Sequence, residues 1–353
     1  MVLARSDRLI VGSATVLTIA AGVLNYSGSA HVATFIFSGL ALAALAALVG
    51  RSVEQVADRL GSGATGVVQS ALGNLPELFV CIFALREGLV RVVEAAIIGS
   101  ILSNALLVLG LAFAVGGLKH GRQPFDADRA RTLVALLILA VAALLVPSLA
   151  SYVHSPAAPH ERALSIIASI VLLAVFAMSV PSSMRRTDDE AATPEHAAGT
   201  LWPVPIAIGA LAVTGSLAAF VSDWFVAALR PSLDSLHVSQ AFAGLVIVAI
   251  AGNAVENVVG IQLAYRGRSD HAVSVILNSP LQIALVLAPV LVLLSPVIGG
   301  TAFTLAFPPL LVTTVVASVL AVSFVIIDGE YDWLEGAALI GLYTVIAASF
   351  WWG

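Results

Sequence analysis

Charge is scarce in this chain. Asp, Glu, Lys and Arg make up only 10% of its 353 residues, against about 25% in soluble domains, while apolar residues reach 59%. An ordinary soluble globular fold is excluded on that ground. Basic residues are outnumbered, 16 Lys and Arg against 21 Asp and Glu, so no basic face exists to neutralise nucleic-acid phosphates. The single cysteine, Cys81, cannot form an intrachain disulfide, and the seven scattered histidines offer no clustered set for a structural zinc or a haem. No cofactor is expected. A His-Glu-x-x-His motif is also missing, which excludes an intramembrane metalloprotease and leaves no enzyme chemistry to assign.

What the chain has is long apolar runs. Crossing about 30 Å of hydrocarbon takes roughly 20 apolar residues. Eleven stretches qualify, at about 9–25, 31–49, 64–85, 92–117, 130–147, 162–181, 201–221, 239–264, 271–298, 302–327 and 332–352. The first is longer than the apolar core of a secretory signal and reads as a membrane helix. An all-α polytopic membrane protein of about eleven transmembrane helices is expected, with the lipid bilayer as its main contact. Twelve of the 16 basic residues then fall on the side of the N-terminus and four on the other. Positive loops stay in the cytoplasm, which puts the N-terminus inside and the C-terminus outside. Fifteen Arg to one Lys, with abundant Ala, points to a bacterial cell membrane.

The halves resemble each other. Gly73-Asn74-Leu75-Pro76-Glu77 and Gly252-Asn253-Ala254-Val255-Glu256 lie 179 residues apart, and at the same shift Val80 meets Val259, Ile82 meets Ile261, Gly88 meets Gly267 and Ser100 meets Ser279. Stretches two to six correspond to seven to eleven. Five is odd, so the second copy enters the membrane from the opposite side, as an inverted repeat. The expected organisation is an N-terminal transmembrane helix at 1–28, a first five-helix repeat at 29–181, a second at 201–353, and between them a cytoplasmic acidic linker at 182–200. Oppositely oriented units of similar structure supply inward-open and outward-open states of nearly equal energy, which points to transport.

Nearly all acidic residues fall in loops or at segment ends, whereas Glu77 and Glu256 lie deep inside apolar stretches. A carboxylate at that depth costs about 2.5–3.5 kcal/mol or more unless it is paired, protonated or facing water. Helical spacing sets Asn74 beside Glu77 and Asn253 beside Glu256, while Ser100 with Asn104 and Ser279 with Gln282 follow on the next stretches. Together these residues form a hard, all-oxygen donor set. Ca²⁺ suits such a set, and softer metals do not. Gly99 and Gly110 read instead as close-packing residues. Glu54, ahead of the third stretch, is a candidate for attracting cations at the cytoplasmic mouth, or else part of a solvated helix face. Asp328, Glu330, Asp332 and Glu335 crowd one short turn without revealing a role.

The run Gly73 to Leu78, continuing through Ala84-Leu85-Arg86-Glu87-Gly88 to Gly99-Ser100-Ile101-Leu102-Ser103-Asn104, resembles the first conserved region of cation/proton exchangers of the calcium/cation antiporter superfamily. Gly252 to Glu256, with Ser279 and Gln282-Ile283-Ala284, is similar to the second. Asn257 stands where that second motif usually carries His, and Pro76 resembles the sodium/calcium branch. The resemblance implies exchange of cytoplasmic Ca²⁺ for protons, with Glu77 and Glu256 as shared binding carboxylates for both. A Na⁺/Ca²⁺ exchanger of the same superfamily is the alternative, although that branch tends to place a further carboxylate where Asn104 and Gln282 are neutral. A membrane protein with no transport activity would not need matched acids at mid-membrane depth.

Overall fold

A computed structural model describes residues 5–28, 31–60, 72–190, 203–300 and 302–352; within these, the side chains of 5–8, 54, 57–60, 180–190, 255 and 256 are not described. Nearly all of the described chain is helical. The helices are α1 (Arg5–Ser27), α2 (His31–Leu60), α3 (Leu75–Arg86), α4 (Val90–His120), α5 (Ala127–Tyr152), α6 (Glu161–Glu190), α7 (Val204–Leu236), α8 (Gln240–Gly252), α9 (Ala254–Tyr265), α10 (Ser269–Ile298), α11 (Pro309–Val325) and α12 (Trp333–Ser349). Two-residue strands β1 (Gln123–Pro124) and β2 (Glu330–Tyr331) pair antiparallel.

Among the described residues, seven helices are long and apolar enough to cross a membrane, and an eighth span results if α8 and α9, whose axes differ by 63°, count as one. In each of the remaining three apolar stretches the described residues hold a shorter helix: α3 has 12 residues, the start of its stretch up to 71 lying outside the described residues, and α11 and α12 have 17 each. Stretch ten differs from the sequence expectation, because its helix begins only at Pro309. The cause is local. Residues preceding proline are pushed out of the α region, and both Phe307 and Pro308 precede one, whereas Pro309 fits the first helical turn. At the other end of the linker, α6 runs on to Glu190, into the segment read as linker, and 191–200 lie outside the described residues.

The division into compact units interleaves the halves. One unit comprises Met1–Phe83 with Leu173–Ser235, the other Ala84–Leu172 with Leu236–Gly353. In the first, α1 packs along α2, and Phe35 of α2 stacks on Phe225 of α7 at 4.8 Å between ring centroids. In the second, α4 is the central element, with Ile97, Ile98, Ile101, Leu102 and Phe113 fully buried. α8, α9 and α12 pack against it. Close approach is what the glycines permit there. Gly99 meets the backbone of Leu245 with no room for a Cβ, and a Cβ on Gly110 would fall 2.8 Å from the Gly336 carbonyl oxygen.

Structure recurs at the 179-residue shift. α3 and α9 each have 12 residues, starting 179 apart. Both end in the same turn: Leu89 N donates to Ala84 O, and Arg268 N to Leu263 O, with Gly88 at φ 71° and Gly267 at φ 74°. A left-handed residue two positions past the last helical residue favours glycine, which has no Cβ to clash. Further on, α4 contains a π turn at Ser103–Val108 and α10 one at Ile283–Leu287.

The ends of the second unit are closed differently. At one end β1 and β2 pair, Tyr331 stacks on Phe113 at 4.1 Å, and Asp270 Oδ1 accepts from Asp126 N at 2.6 Å. The acidic run 328–335 is explained here: Asp332 and Glu335 form a reciprocal cap on α12, and Glu330 pairs with Arg122 at 3.6 Å. At the opposite end the non-helical strap 302–308 is held by hydroxyls. Ser148 Oγ donates to Leu305 O (2.7 Å) and accepts from Phe307 N (2.8 Å), Ser165 Oγ accepts from Leu305 N (3.0 Å), and Tyr152 OH donates to Phe307 O (3.0 Å).

Non-helical backbone away from water is tolerated only when such partners satisfy it. Ser148→Ala orphans a donor and an acceptor together and should cost about 2–5 kcal/mol. Ser169→Ala removes a hydroxyl bonded only to its own helix, at Ser165 O, and should cost under about 1.5 kcal/mol. Thermal unfolding in detergent compares them; equal losses would contradict the role given to Ser148.

Candidate functional site

Both Gly-Asn motifs break a helix. Asn74 lies in a turn just ahead of α3, and Asn253 lies between α8 and α9 at φ −105°, ψ 19°. The two breaks share one hydrogen bond: Leu78 N donates to Asn74 O at 2.9 Å, and Asn257 N to Asn253 O at 3.1 Å. Each asparagine therefore stands just ahead of the helix that carries the glutamate, its carbonyl accepting the first helical bond, rather than sharing its face from within. Glu77 occupies the third position of α3 and Glu256 the third of α9. At the first turn the positive end of the helix dipole offsets part of the cost of a buried anion.

Glu77 is fully buried, as is Asn74 to 6% exposure. Cys81 lies one turn along α3 from Glu77 and is buried too. The side chain of Glu256 and that of Glu54 lie outside the described residues. Glu54 stands on α2, near its C-terminal end. Glu94, at the start of α4, is paired with Arg91 at 3.4 Å.

The second unit brings three of the expected residues together. Asn253 Nδ2 donates to Ser100 Oγ at 3.0 Å and to Ala249 O at 3.0 Å, while Ser279 Oγ donates to Asn253 Oδ1 at 3.4 Å. α4, the α8–α9 break and α10 are thus joined at one asparagine. Asn104 is linked to the same set from within α4, its Nδ2 donating to Ser100 O at 2.9 Å. Ser100, Asn104 and Asn253 have no exposed surface, and Ser279 has 4%. Gln282 ends the α part of α10, one turn beyond Ser279, just before its π turn.

The donors that result are amide and hydroxyl oxygens held by helix breaks and π turns. Both kinds of break release backbone groups from the helical ladder, which is where polypeptides can offer oxygens to a cation inside a membrane. Sequence periodicity located the asparagines, serines and glutamates. It missed the π turns, because one extra residue in a turn leaves no mark on an apolar pattern, and it therefore missed Ser103 as well.

A sequence model of the sodium/calcium exchanger protein family matches residues 30–183 and again 206–352. The chain is 32% identical over 345 residues to the Ca(2+)/H(+) antiporter of Synechocystis sp., covering 92% of both chains. It belongs to that family, in the cation/proton exchanger branch. It is also 32% identical to the Ca(2+)/H(+) antiporter ChaA of Bacillus subtilis, covering 97% of each. The solved structure of native YfkE superposes with a TM-score of 0.80 at 31% identity, over 96% of this chain and 99% of that one. The family is one of transporters, in keeping with the missing enzyme motifs.

Asn253 is the group that ties three elements, so its loss should be felt jointly with that of Ser100. Asn253→Ala should destabilise the protein by about 1–3 kcal/mol. Combined with Ser100→Ala, it should show a coupling of about 0.5–3 kcal/mol in a double-mutant cycle read by thermal unfolding. Strict additivity would mean that the 3.0 Å bond between them carries no energy.

Proposed function

We propose that the protein is a secondary active antiporter that exchanges cytoplasmic Ca²⁺, or a similar divalent cation, for protons by alternating access. The observation that carries this reading is the recurrence of one device in both halves: an asparagine at a helix break, followed by a 12-residue helix with Glu at its third position. The relatives named Ca(2+)/H(+) antiporter support it from the other side. Glu77 and Glu256 bind the cation and, in its absence, the protons. Asn74, Asn253, Ser100, Asn104, Ser279 and Gln282 supply neutral oxygens, and Glu54 draws cations to the cytoplasmic mouth.

The architecture we infer is eleven crossings, with α3, α11, α12 and the α8–α9 pair each counted as one beside the seven long spans. A 17-residue helix is about 26 Å long, so α11 and α12 reach most of the way, and the strap adds to α11. One N-terminal helix and two inverted five-helix repeats follow, supported by the double match of the family to 30–183 and 206–352. The basic-residue bias places the N-terminus and the 182–200 linker in the cytoplasm of a bacterial cell.

Charge decides which forms cross. Two ionised glutamates with one Ca²⁺ sum to zero, and so do two protonated glutamates without it. Both can be occluded at tolerable desolvation cost. The empty ionised form buries two negative charges and does not cross, so uptake of one ligand requires release of the other.

Glu77→Gln and Glu256→Gln should each abolish ΔpH-driven ⁴⁵Ca²⁺ uptake into inverted vesicles; full uptake in either variant would refute the shared carboxylate mechanism. Vesicles loaded with Na⁺ at equal pH on both sides should show no calcium movement. Calcium movement there would replace proton coupling with sodium coupling.

A further inference from the structure

Beside the Ser100–Asn253–Ser279 set lie polar groups that it does not account for. Ser103 Oγ, Asn104 Oδ1 and Tyr343 OH are buried with no hydrogen-bond partner. Ser103 and Asn104 open the π turn of α4, and α12, which carries Tyr343, packs on that turn. The Tyr343 hydroxyl faces that of Ser103. Ser52, Ser165, Ser169 and Ser222 each donate to the carbonyl four residues back on their own helix. Ser103 makes no such bond and faces α12 instead.

The position of Tyr343 is fixed by contacts on its N-terminal side. Gly110 and Gly336 bring the two backbones into contact, and the Tyr331–Phe113 stack anchors the segment ahead of α12. Phenylalanine would fill the same space without burying a hydroxyl, so the hydroxyl costs the fold something unless it acts on its surroundings. A π turn is a local distortion that needs support from its neighbours, and this one carries Asn104, whose Nδ2 is already committed to Ser100 O. Its Oδ1, unpartnered and fully buried, is the oxygen left to meet a cation.

We propose that Tyr343 and Ser103 are positioning residues for the transported cation: their hydroxyls brace the π turn of α4 so that Asn104 presents Oδ1 to it. The proposal rests on the reading of Asn104 as a cation ligand. The brace belongs to one half only, since the residues 179 positions away are Gln282 and Leu164, which supply no hydroxyl pair.

Two readouts test it: the Ca²⁺ concentration giving half-maximal ΔpH-driven uptake in proteoliposomes, and ⁴⁵Ca²⁺ binding by the detergent-purified protein. Tyr343→Phe and Ser103→Ala should each raise the half-saturating Ca²⁺ by about three- to tenfold, with the maximal rate within about twofold. The double variant should be no worse than either single one, and Ser103→Thr, which keeps a hydroxyl, should retain wild-type values. Wild-type affinity in Tyr343→Phe, or a lowered melting temperature with unchanged affinity, would overturn the brace. If wild-type protein binds Ca²⁺ but moves none under a pH gradient, the exchange reading fails, and the shift in binding still decides the role of Tyr343.

Discussion

Backbone polar groups that leave the helical ladder inside hydrocarbon must find partners within the protein, because no water is there to take them. Much of this molecule answers to that constraint. At the α8–α9 break the Asn253 side chain supplies partners, its Nδ2 donating to Ser100 Oγ and to Ala249 O. The strap at 302–308 is survivable because Ser148, Ser165 and Tyr152 supply its missing partners. Irregular backbone is costly there, so its placement is informative: it clusters at the glutamate-bearing breaks and at one closed end of the second unit.

The same constraint explains why so much was legible beforehand. Scarce charge in long apolar runs leaves helices as nearly the sole option, so every apolar stretch contains one in the described structure. Glu77 and Glu256 stood out because few acids lie so deep. The 179-residue shift was visible in Gly73-Asn74 and Gly252-Asn253, and it reappears in features that no residue identity announces, such as the equal lengths of α3 and α9. Gly88 and Gly267 illustrate the link best. Their match in the sequence is a match of helix ends, since both take positive φ to close the same turn.

What stayed hidden depends on tertiary partners. Pro308 and Pro309 signal a helix start, yet nothing in 302–307 shows that serines far away in the chain hold it. Serine on an apolar helix reads the same whether it bonds its own carbonyl, as Ser169 does, or a strap, as Ser148 does. The acidic run 328–335 had the reverse ambiguity: a charge cluster turned out to be a helix cap and a strand-edge ion pair. π turns are hidden for a geometric reason, because the residues around Ser103 and Ile283 keep an unbroken apolar pattern while the hydrogen-bond register slips by one.

Symmetry between the halves is close in the helix breaks and turns and loose in side chains. Under the proposed exchange, identical neutral residues in both halves would give the two orientations a similar hold on the cation. Here the first half offers Asn104 where the second offers Ile283, and the second offers Gln282 where the first offers Ser103. The first π turn is faced by a tyrosine hydroxyl, while Leu164 holds the corresponding place in the other repeat. A shared backbone plan supplies two accessible states of similar energy. Under the proposed exchange, unequal neutral residues would tune how strongly each state holds its cation, without adding charge to a membrane interior that tolerates little of it.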